Sequence, residues 1–351
     1  MTCILKVSNM IRFKKSRCPK LTVKLQFFFS LTLLILVLLI LSHSVGFLVR
    51  HVGNLHLIST FSWKFGSHTI KASRSYKSPY QYDYIINEPD KCKERVPFLV
   101  LLIMVEGRQH EERDAIRNTW GNEDLLPGVN ILRLFFLGRE ANVNVEARQA
   151  ILRESQEFHD IIQQDFMDTY KNLTIKVLSA MNWMTTYCPH ALYVMKTDTD
   201  VFVNIEYLVT NLLKPDQEPK RNYITGFLML ENLPERNPTS KWYVPPDIYP
   251  YEKYPPFCSG TGYVLSGDLA HKIVEISPSV RWIYLEDVFI GFCLQKLGIQ
   301  PTAPPKITDF NVWYIGFSGC EYHNIVTAHN LGPWILQDYW DRLQKSKQVC
   351  T

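Results

Sequence analysis

The chain has 351 residues, of which 46% are hydrophobic and 13% aromatic, so it can fill the core of one large domain or of two ordinary ones. Its formal net charge is +4, but residues 1–50 contain eight Lys or Arg and no acid, so the remaining 301 residues carry a net charge of −4. This mildly acidic bulk gives no electrostatic support to nucleic-acid binding, and we expect no nucleic-acid partner.

The first predicted element is a membrane anchor. Residues 25–49 are uncharged, and a stretch of 25 residues is long enough to span a bilayer. Seven Lys or Arg precede it, so the positive-inside rule keeps residues 1–24 in the cytosol. A cleaved signal peptide is the alternative, but the apolar stretch is too long for a signal-peptide core. We expect a single-pass type II membrane protein whose bulk is luminal.

Residues 50–95 are predicted to form a stem. They are rich in Ser, Tyr, Lys and His without a sustained period, which is typical of a spacer that holds a domain away from the membrane. Their aromatic residues exceed what a disordered spacer needs, so part of the stem is expected to pack. The folded domain is expected to occupy residues 96–351.

The cysteines agree with a luminal location. An even number of them follow the anchor in what would be an oxidising compartment, so we expect disulfides, and the sequence leaves 15 pairings open. The absence of a C-x-x-C pair argues against a zinc ribbon. The sequon that begins at Asn172 predicts N-glycosylation there. The cysteines in question are Cys92, Cys188, Cys258, Cys293, Cys320 and Cys350.

Strands and helices are predicted to alternate along the first half of the folded domain, which indicates an α/β fold with a mainly parallel sheet covered on both faces. A loop rich in Pro, Tyr and Trp follows at residues 233–256 and is expected to lie over the site. The predicted strands are 98–104, 131–137, 160–162, 191–195 and 258–266, and the predicted helices are 108–120, 145–158, 170–187, 268–276, 287–297 and 334–345.

Two carboxylates follow the apolar strand at residues 191–195. Asp198 and Asp200 are two residues apart, so in an extended chain they point to the same side. They would face the crevice at the carboxyl end of the strand, where open α/β sheets bind ligands. Because like charges this close repel, we expect a hard divalent cation between them, completed by a ligand's phosphates. A surface turn is the alternative, but the apolar residues on both sides of the pair argue against it.

Five segments in order carry a resemblance to one family. Together they resemble the β-1,3-galactosyltransferases and related β-1,3-N-acetylhexosaminyltransferases of the Golgi, over residues 96–350. This resemblance implies a GT-A fold, in which a Rossmann-like nucleotide-sugar half joins an acceptor half. It also implies inverting transfer from a UDP-sugar to the 3-hydroxyl of an acceptor sugar. The segments are RDAIRNTWG at 113–121, residues 160–176, KTDTDVFVN at 196–204, CSGTGY at 258–263 and EDVFIG at 286–291.

The resemblance also implies roles for the acids. Asp200 is expected to be the direct ligand of Mn²⁺, with Mg²⁺ as the alternative, and Asp198 to contact the ribose or support the cation. The cation would neutralise the charge that grows on the departing UDP. His329 matches a second metal ligand, with a buried structural histidine as an equal alternative. Asp287 matches the general base, and Glu286 would orient the acceptor or cap a helix.

Two arginines are expected to reach the nucleotide. Arg113 and Arg117 lie four residues apart on a predicted helix, hence on one face, and could bind the diphosphate or the uracil. The alternative is a solvated helix face with ion pairs to Asp114 or Glu112. Asp165 and Lys176 also match positions near the nucleotide in the family.

The acceptor side is implied by residues 258–263. Gly260 and Tyr263 are expected near the acceptor sugar. Thr199 stands where many relatives have a third acid, but side-chain alternation turns that residue away from the metal.

We expect transfer of galactose from UDP-galactose to a terminal N-acetylhexosamine, first of all N-acetylglucosamine, on a glycoprotein or glycolipid. Transfer of N-acetylglucosamine or N-acetylgalactosamine by the same mechanism is the alternative. A non-catalytic Golgi partner protein or a lectin-like receptor is a third reading, against which the retained Asp200 and Asp287 argue. The expected location is the Golgi membrane, and assembly with itself or with other transferases is left open.

Overall fold

The computed structural model describes residues 81–346. The predicted cytoplasmic tail, the membrane anchor and the first part of the stem lie outside the described residues. Within residues 81–346, no helix is both long enough and apolar enough to cross a membrane. The described chain builds a seven-stranded sheet, a separate two-stranded sheet and helices that pack on both faces.

The strands confirm the predicted α/β class. The large sheet has the order β1-β4-β3-β2-β5-β8-β7, and its four central strands, β4, β3, β2 and β5, are parallel. The outer strands β1, β8 and β7 are antiparallel to their neighbours, so the sheet is mixed. The strands are β1 Tyr84–Ile86, β2 Leu99–Met104, β3 Ile131–Arg139, β4 Ile161–Met167, β5 Tyr193–Asp198, β6 Val201–Val203, β7 Ile224–Met229, β8 Phe257–Ser266 and β9 Thr327–His329.

The helices lie close to their predicted positions, with ends that differ by a few residues. The first is shorter than expected because the chain leaves the helix after Arg117 and the Gly121 amide turns back to the Ile116 carbonyl. The helices are α1 His110–Arg117, α2 Val145–Phe158, α3 Leu173–Tyr187, α4 Ile205–Tyr207, α5 Gly267–Ile276, α6 Glu286–Leu297, α7 Gly319–Tyr322 and α8 Pro333–Ser346, with 3₁₀ turns at Tyr170–Asn172 and Ser277–Ser279 and a π-helical turn at Leu208–Leu213.

Strand β2 shows why the sheet is buried on both faces. All six of its residues are buried and apolar, as expected of a central parallel strand. Leu101 and Ile103 point into the core that also contains residues of α1 and α8, whereas Val100 and Leu102 point into the core formed with α3, α5 and α6. The parallel strands therefore deliver their carboxyl ends to one edge, where Met104 of β2 pairs in register with Asp198 of β5.

Part of the predicted stem packs on this sheet, as its aromatic content led us to expect. Strand β1 pairs with β4, and a disulfide joins Cys92 to Cys188 just beyond the end of α3. The expected disulfide formation is thus confirmed for one pair, while Cys258 and Cys293 are buried free thiols. The boundary at residue 96 stays a prediction.

Two antiparallel pairings were not predicted, and both shape the site. Strand β8 pairs with β5 so that Tyr263 lies opposite Lys196. Strand β6 pairs with β9 so that His329 lies opposite Val201, one residue beyond Asp200. These pairings bring the 258–263 and 327–329 segments to the carboxyl end of β5.

Candidate active site

Asp200 and His329 form the first pair of the site. The Oδ2 atom of Asp200 lies 3.4 Å from Nε2 of His329, and the β6–β9 pairing holds the two residues together. Burial would raise the pKa of Asp200, but the hydrogen bond and charge of His329 lower it overall. The same bond to Asp200 raises the pKa of His329.

The imidazole of His329 is oriented for a cation. Its Nδ1 atom lies 2.9 Å from the carbonyl oxygen of Val312, and because a carbonyl can only accept, Nδ1 carries the proton. This second contact fixes the ring and leaves Nε2 to face the Asp200 carboxylate. A proton or a metal cation can occupy the space between these two atoms. The donor set of one carboxylate and one imidazole suits Mn²⁺ better than Mg²⁺, which prefers oxygen ligands.

Lys196 organises the acids, and sequence reasoning missed it. Its side chain is 0% exposed, and its Nζ atom lies 2.8 Å from Oδ1 of Asp198 and 3.0 Å from Oε1 of Glu286. The ammonium group also donates to the carbonyl oxygen of Gly260. Burial alone would lower the pKa of Lys196, but the two carboxylates raise it, so the side chain is charged. One buried cation thus joins the end of β5 to β8 and to the start of α6.

Asp287 is positioned for proton transfer. It lies in the first turn of α6 and is partly exposed. The amide of Gly260 donates to its Oδ2 atom at 3.1 Å, and the amide of Val288 donates to Oδ1 at 2.8 Å. Burial raises the pKa of Asp287, although these two amides act in the opposite direction. A Cβ added at Gly260 would lie 2.7 Å from Oε1 of Glu286, so a larger residue there would have to displace this buried carboxylate.

Glu286 and Tyr263, which were expected near the acceptor, are turned inward, and their contact with an acceptor stays a prediction. Both side chains are buried, and the Tyr263 hydroxyl donates to Oε2 of Glu286 at 3.2 Å. Burial raises the pKa of Glu286 to about 7, and the nearby Lys196 only partly offsets this. The physical reason for their burial is the lysine, because a buried ammonium needs carboxylate partners. Glu286 thus holds Lys196 in place directly, and Tyr263 does so through Glu286. Gly260 contributes through its main-chain carbonyl.

The two arginines are engaged in a buried ion-pair network. Arg113 makes a bidentate pair with Glu154 at 2.7 and 2.6 Å and also donates to two main-chain carbonyls. Arg117 pairs with Asp160 at 2.9 and 2.8 Å and with Glu154 at 2.7 Å. The expected pair between Arg117 and Asp114 is present at 2.8 Å, but the helix face is not solvated. These contacts commit four of the five N–H donors of each guanidinium group to structural partners.

Of the other residues expected at the nucleotide, Asp165 lies apart from the acid cluster, whereas Lys176 is buried beside the end of β2. Asp165 is exposed on β4, three strands away from β5, and pairs with Arg139 at 3.2 Å. Lys176 is buried, where its Nζ atom lies 2.6 Å from Asp168 and 2.8 Å from the Val105 carbonyl. Lys176 therefore fixes the loop that follows β2.

Asn172 begins α3 beside this region, and its Nδ2 atom donates to the Met167 carbonyl at 2.8 Å. The hydroxyl of Thr174 is buried and donates to the main-chain carbonyl of Ile283 at 2.9 Å. The glycosylation of Asn172 stays a prediction.

A cavity of about 650 Å³ opens where β2 and β3 end. Its wall includes Gly107, Arg108, Glu140 and Asn142, and Arg113 lies at its base. The loop after β2 reaches the acid segment through Gln109, whose Nε2 atom donates to Oγ1 of Thr199 at 3.2 Å. The cavity therefore shares the carboxyl edge of the sheet with the acid cluster.

A second group of possible metal ligands adjoins the cavity. One ligand atom each from His110, Asp114 and Glu154 lie within 4.8 Å of one another. Glu154 is already paired with Arg113 and Arg117, which lower its pKa to about 2 against the effect of burial. Their positive charges oppose a cation there, so the pair of Asp200 and His329 is the better metal site.

Comparison with known proteins places the chain in a family. The "Galactosyltransferase" family model matches residues 111–305, and the "Beta-1,3-galactosyltransferase 2 N-terminus" model matches residues 59–100. Beta-1,3-galactosyltransferase 2 of Homo sapiens is 55% identical over 272 residues, which are 78% of this chain and 64% of that protein. The chain thus matches somewhat less than two thirds of that relative's length. Beta-1,3-galactosyltransferase 1 of Mus musculus is 44% identical over 272 residues, with 78% of this chain and 82% of that protein covered.

Among solved structures, the chain is similar to the galactosyltransferase LgtC in complex with donor and acceptor sugar analogs. The TM-score is 0.35 and the sequence identity 12%, with 70% of this chain and 95% of that chain covered. The family match extends over more than half of the chain and over the segments that carry Asp198, Asp200 and Asp287. On this evidence, the chain belongs to the galactosyltransferase family.

Proposed function

We propose that the protein transfers galactose from UDP-galactose to the 3-hydroxyl of a terminal N-acetylhexosamine, first of all N-acetylglucosamine, on a glycoprotein or glycolipid. The observation that carries this proposal is the arrangement at the end of β5. There the buried Lys196 contacts Asp198, two residues before the Asp200–His329 pair, and donates to the carbonyl of Gly260, whose amide holds Asp287. The names of its relatives supply the sugar and the linkage.

The donor side would hold the nucleotide and the metal. We assign Mn²⁺ to Asp200 and His329, where it would neutralise charge on the diphosphate as UDP departs. Asp198 is held by Lys196 at 2.8 Å and faces the same crevice. The 650 Å³ cavity at the ends of β2 and β3 is large enough for the nucleoside and adjoins this edge.

The acceptor side would supply the base. Asp287 accepts the proton of the acceptor 3-hydroxyl while that oxygen attacks the anomeric carbon of galactose. The new O3–C1 bond forms as the bond from C1 to the diphosphate oxygen breaks, on the opposite face, so the configuration at C1 inverts. The amides of Gly260 and Val288 hold the carboxylate in place during this step. A base of this kind contributes about 10²–10⁴ in rate.

The cellular setting belongs to the same proposal. We place the protein in the Golgi membrane, as a single-pass type II protein whose catalytic domain is luminal. The Cys92–Cys188 disulfide supports an oxidising compartment. Homo-oligomers and assemblies with other Golgi transferases are compatible with this setting.

The test is a transfer assay with the purified full-length chain in detergent. It is incubated with Mn²⁺, with each of UDP-galactose, UDP-N-acetylglucosamine and UDP-N-acetylgalactosamine, and with methyl β-glycosides of N-acetylglucosamine and N-acetylgalactosamine. We expect UDP release with UDP-galactose that depends on the acceptor, and a β-1,3 linkage by NMR. Preference for another donor would favour the N-acetylhexosaminyl alternative. No release above hydrolysis with any pair would refute catalysis and revive the non-catalytic reading.

A further inference from the structure

Three aromatic side chains form a surface beside Asp287 that the chemistry described above does not use. We call Tyr170, Trp242 and Tyr284 the aromatic wall. Trp242 is 53% exposed and Tyr170 is 44% exposed, so neither ring is placed there to fill the core. Large exposed aromatic surface near a site is typical of ligand binding.

The members of the aromatic wall are close to one another. The rings of Tyr170 and Tyr284 meet edge to face, with their centroids 6.4 Å apart and an interplanar angle of 69°. The ammonium group of Lys241 lies 4.8 Å from the centre of the Trp242 ring and 5.8 Å from the centre of the Tyr170 ring. The cation thus covers one side of the indole and ties the two exposed rings together.

The wall is anchored to the segment that carries the base. The hydroxyl of Tyr284 donates to the main-chain carbonyl of Tyr243 and lies 3.4 Å from that of Lys241. These two residues flank Trp242, so a single hydroxyl holds the main chain on both sides of the residue that carries the indole. Tyr284 precedes Asp287 by three residues, at the entrance to α6.

Tyr170 is tied to the same place from the other side. It opens the 3₁₀ turn before α3, whose residue Thr174 donates to the carbonyl of Ile283, immediately before Tyr284. Burial raises the pKa of Tyr170, and the negative charges of Asp287 and Glu286 raise it further. The phenol therefore lies within electrostatic reach of the base.

We propose that the aromatic wall is the platform for the acceptor sugar, with a pyranose ring stacked on the face of Trp242 that Lys241 leaves open and its 3-hydroxyl directed at Asp287. This inference rests on the proposed transferase function. The axial C–H groups of a pyranose carry small positive charges, which the negative face of an indole attracts. A flat sugar face therefore fits this wall better than a charged or branched ligand.

The geometry also indicates which sugars fit. In β-linked N-acetylglucosamine every ring substituent is equatorial, so both faces of the ring present C–H groups. In N-acetylgalactosamine the axial 4-hydroxyl interrupts one face. If that face meets Trp242, the wall favours N-acetylglucosamine as the acceptor.

The test measures acceptor binding and turnover in the full-length chain. We compare the wild type with Trp242→Ala, Trp242→Phe and the control Tyr251→Ala, whose ring is 48% exposed in the same loop and packs on Tyr249. For methyl β-N-acetylglucosaminide we expect Trp242→Ala to raise KM about tenfold and Trp242→Phe at most about threefold. The KM for UDP-galactose and the slow hydrolysis of UDP-galactose without acceptor should not change. Tyr251→Ala should behave like the wild type.

A second measurement keeps the inference independent of turnover. Saturation-transfer NMR detects binding of the same acceptor in the presence of UDP and diamagnetic Mg²⁺, and circular dichroism checks that each variant is folded. Loss of the sugar signals in folded Trp242→Ala, with retention in Tyr251→Ala, supports the platform even if no transfer is found. An unchanged acceptor KM or an unchanged NMR signal in Trp242→Ala overturns it. If the wild type nevertheless transfers galactose, the transferase function stands and the platform alone is refuted.

Discussion

Replacing Lys196 by methionine should destabilise the fold and misplace the base at the same time. Methionine keeps the length and the apolar stem but removes the buried ammonium, which contacts Asp198, Glu286 and the Gly260 carbonyl. The variant strands a buried carboxylate, Glu286, whose remaining partner is Tyr263. Breaking a buried ion pair on one side costs about 3–5 kcal/mol. For a domain with a stability of about 5–15 kcal/mol, this is a large fraction.

The pH dependence of that loss identifies its cause. The pKa of Glu286 is about 7 with Lys196 in place, against an ordinary 4.5, and it should rise further without the lysine. An acid whose pKa is higher in the folded than in the unfolded state lowers the free energy of unfolding as the pH rises from the unfolded-state pKa to the folded-state pKa. It does so less and less as the pH falls toward 4.5. Below about pH 7 Glu286 is protonated in both folded proteins, so we expect the stability deficit of Lys196→Met relative to the wild type to stay constant there and to grow as the pH rises above 7.

Urea unfolding at pH 6 and pH 8.5 measures both effects. The double variant Lys196→Met/Glu286→Gln, which also removes the stranded carboxylate, should recover part of the loss at pH 8.5. Lys253→Met is the control, because Lys253 pairs with Glu231 on the surface and its loss should leave unfolding unchanged. The reasoning is refuted if Lys196→Met is as stable as the wild type at pH 8.5, or if its deficit is the same at pH 6 and pH 8.5.

Three further predictions concern the other charged groups. Asp287→Asn should lower kcat about 10²–10⁴-fold while calorimetry shows unchanged binding of UDP with Mn²⁺, and retained turnover would remove Asp287 from the base role. His329→Ala should raise the Mn²⁺ concentration for half-maximal activity at least about tenfold, whereas an unchanged Mn²⁺ titration would point to a structural histidine. The pKa of Glu154 is lowered to about 2, so its ion pairs should contribute roughly 3 kcal/mol to the free energy of unfolding. This contribution is present above pH 4.5 and is lost as the pH falls toward 2. In acid titrations of unfolding free energy, Glu154→Gln should lack this dependence, and an equally steep curve would contradict the assignment.

The sequence alone predicted the parts of the site that depend on local pattern. Alternation along an extended strand predicted that Asp198 and Asp200 share one side at the carboxyl end of β5, and the structure has Asp198 as the last residue of β5 and Asp200 in the turn that follows. The same rule put Lys196 on the side of Asp198, and a lysine within a buried run is itself a signal, since it needs acid partners.

What the sequence could not predict depends on contacts between distant segments. The partners of Arg113 and Arg117 lie 41 and 43 residues further along the chain, on α2 and at the start of β4, and no local period connects them. His329 reaches Asp200 only because β9 pairs with β6. Tyr263 is buried rather than exposed to a sugar because the register of β8 sets it opposite Lys196.

Lys196 joins Asp198, at the end of β5, to Glu286, at the start of α6, and this link sets those two acids apart from the loop at residues 233–256. The ammonium group of Lys196 contacts both Glu286 and Asp198, so a substitution at either acid alters the charge balance at the other. Residues 233–256 have no such ionic link: Val244 and Tyr249 pack into the core, where Tyr249 stacks on Phe292 of α6, whereas Trp242 stays exposed. In the proposed platform, acceptor preference would therefore change at exposed residues such as Trp242, outside the ionic link that joins Asp198 to Glu286.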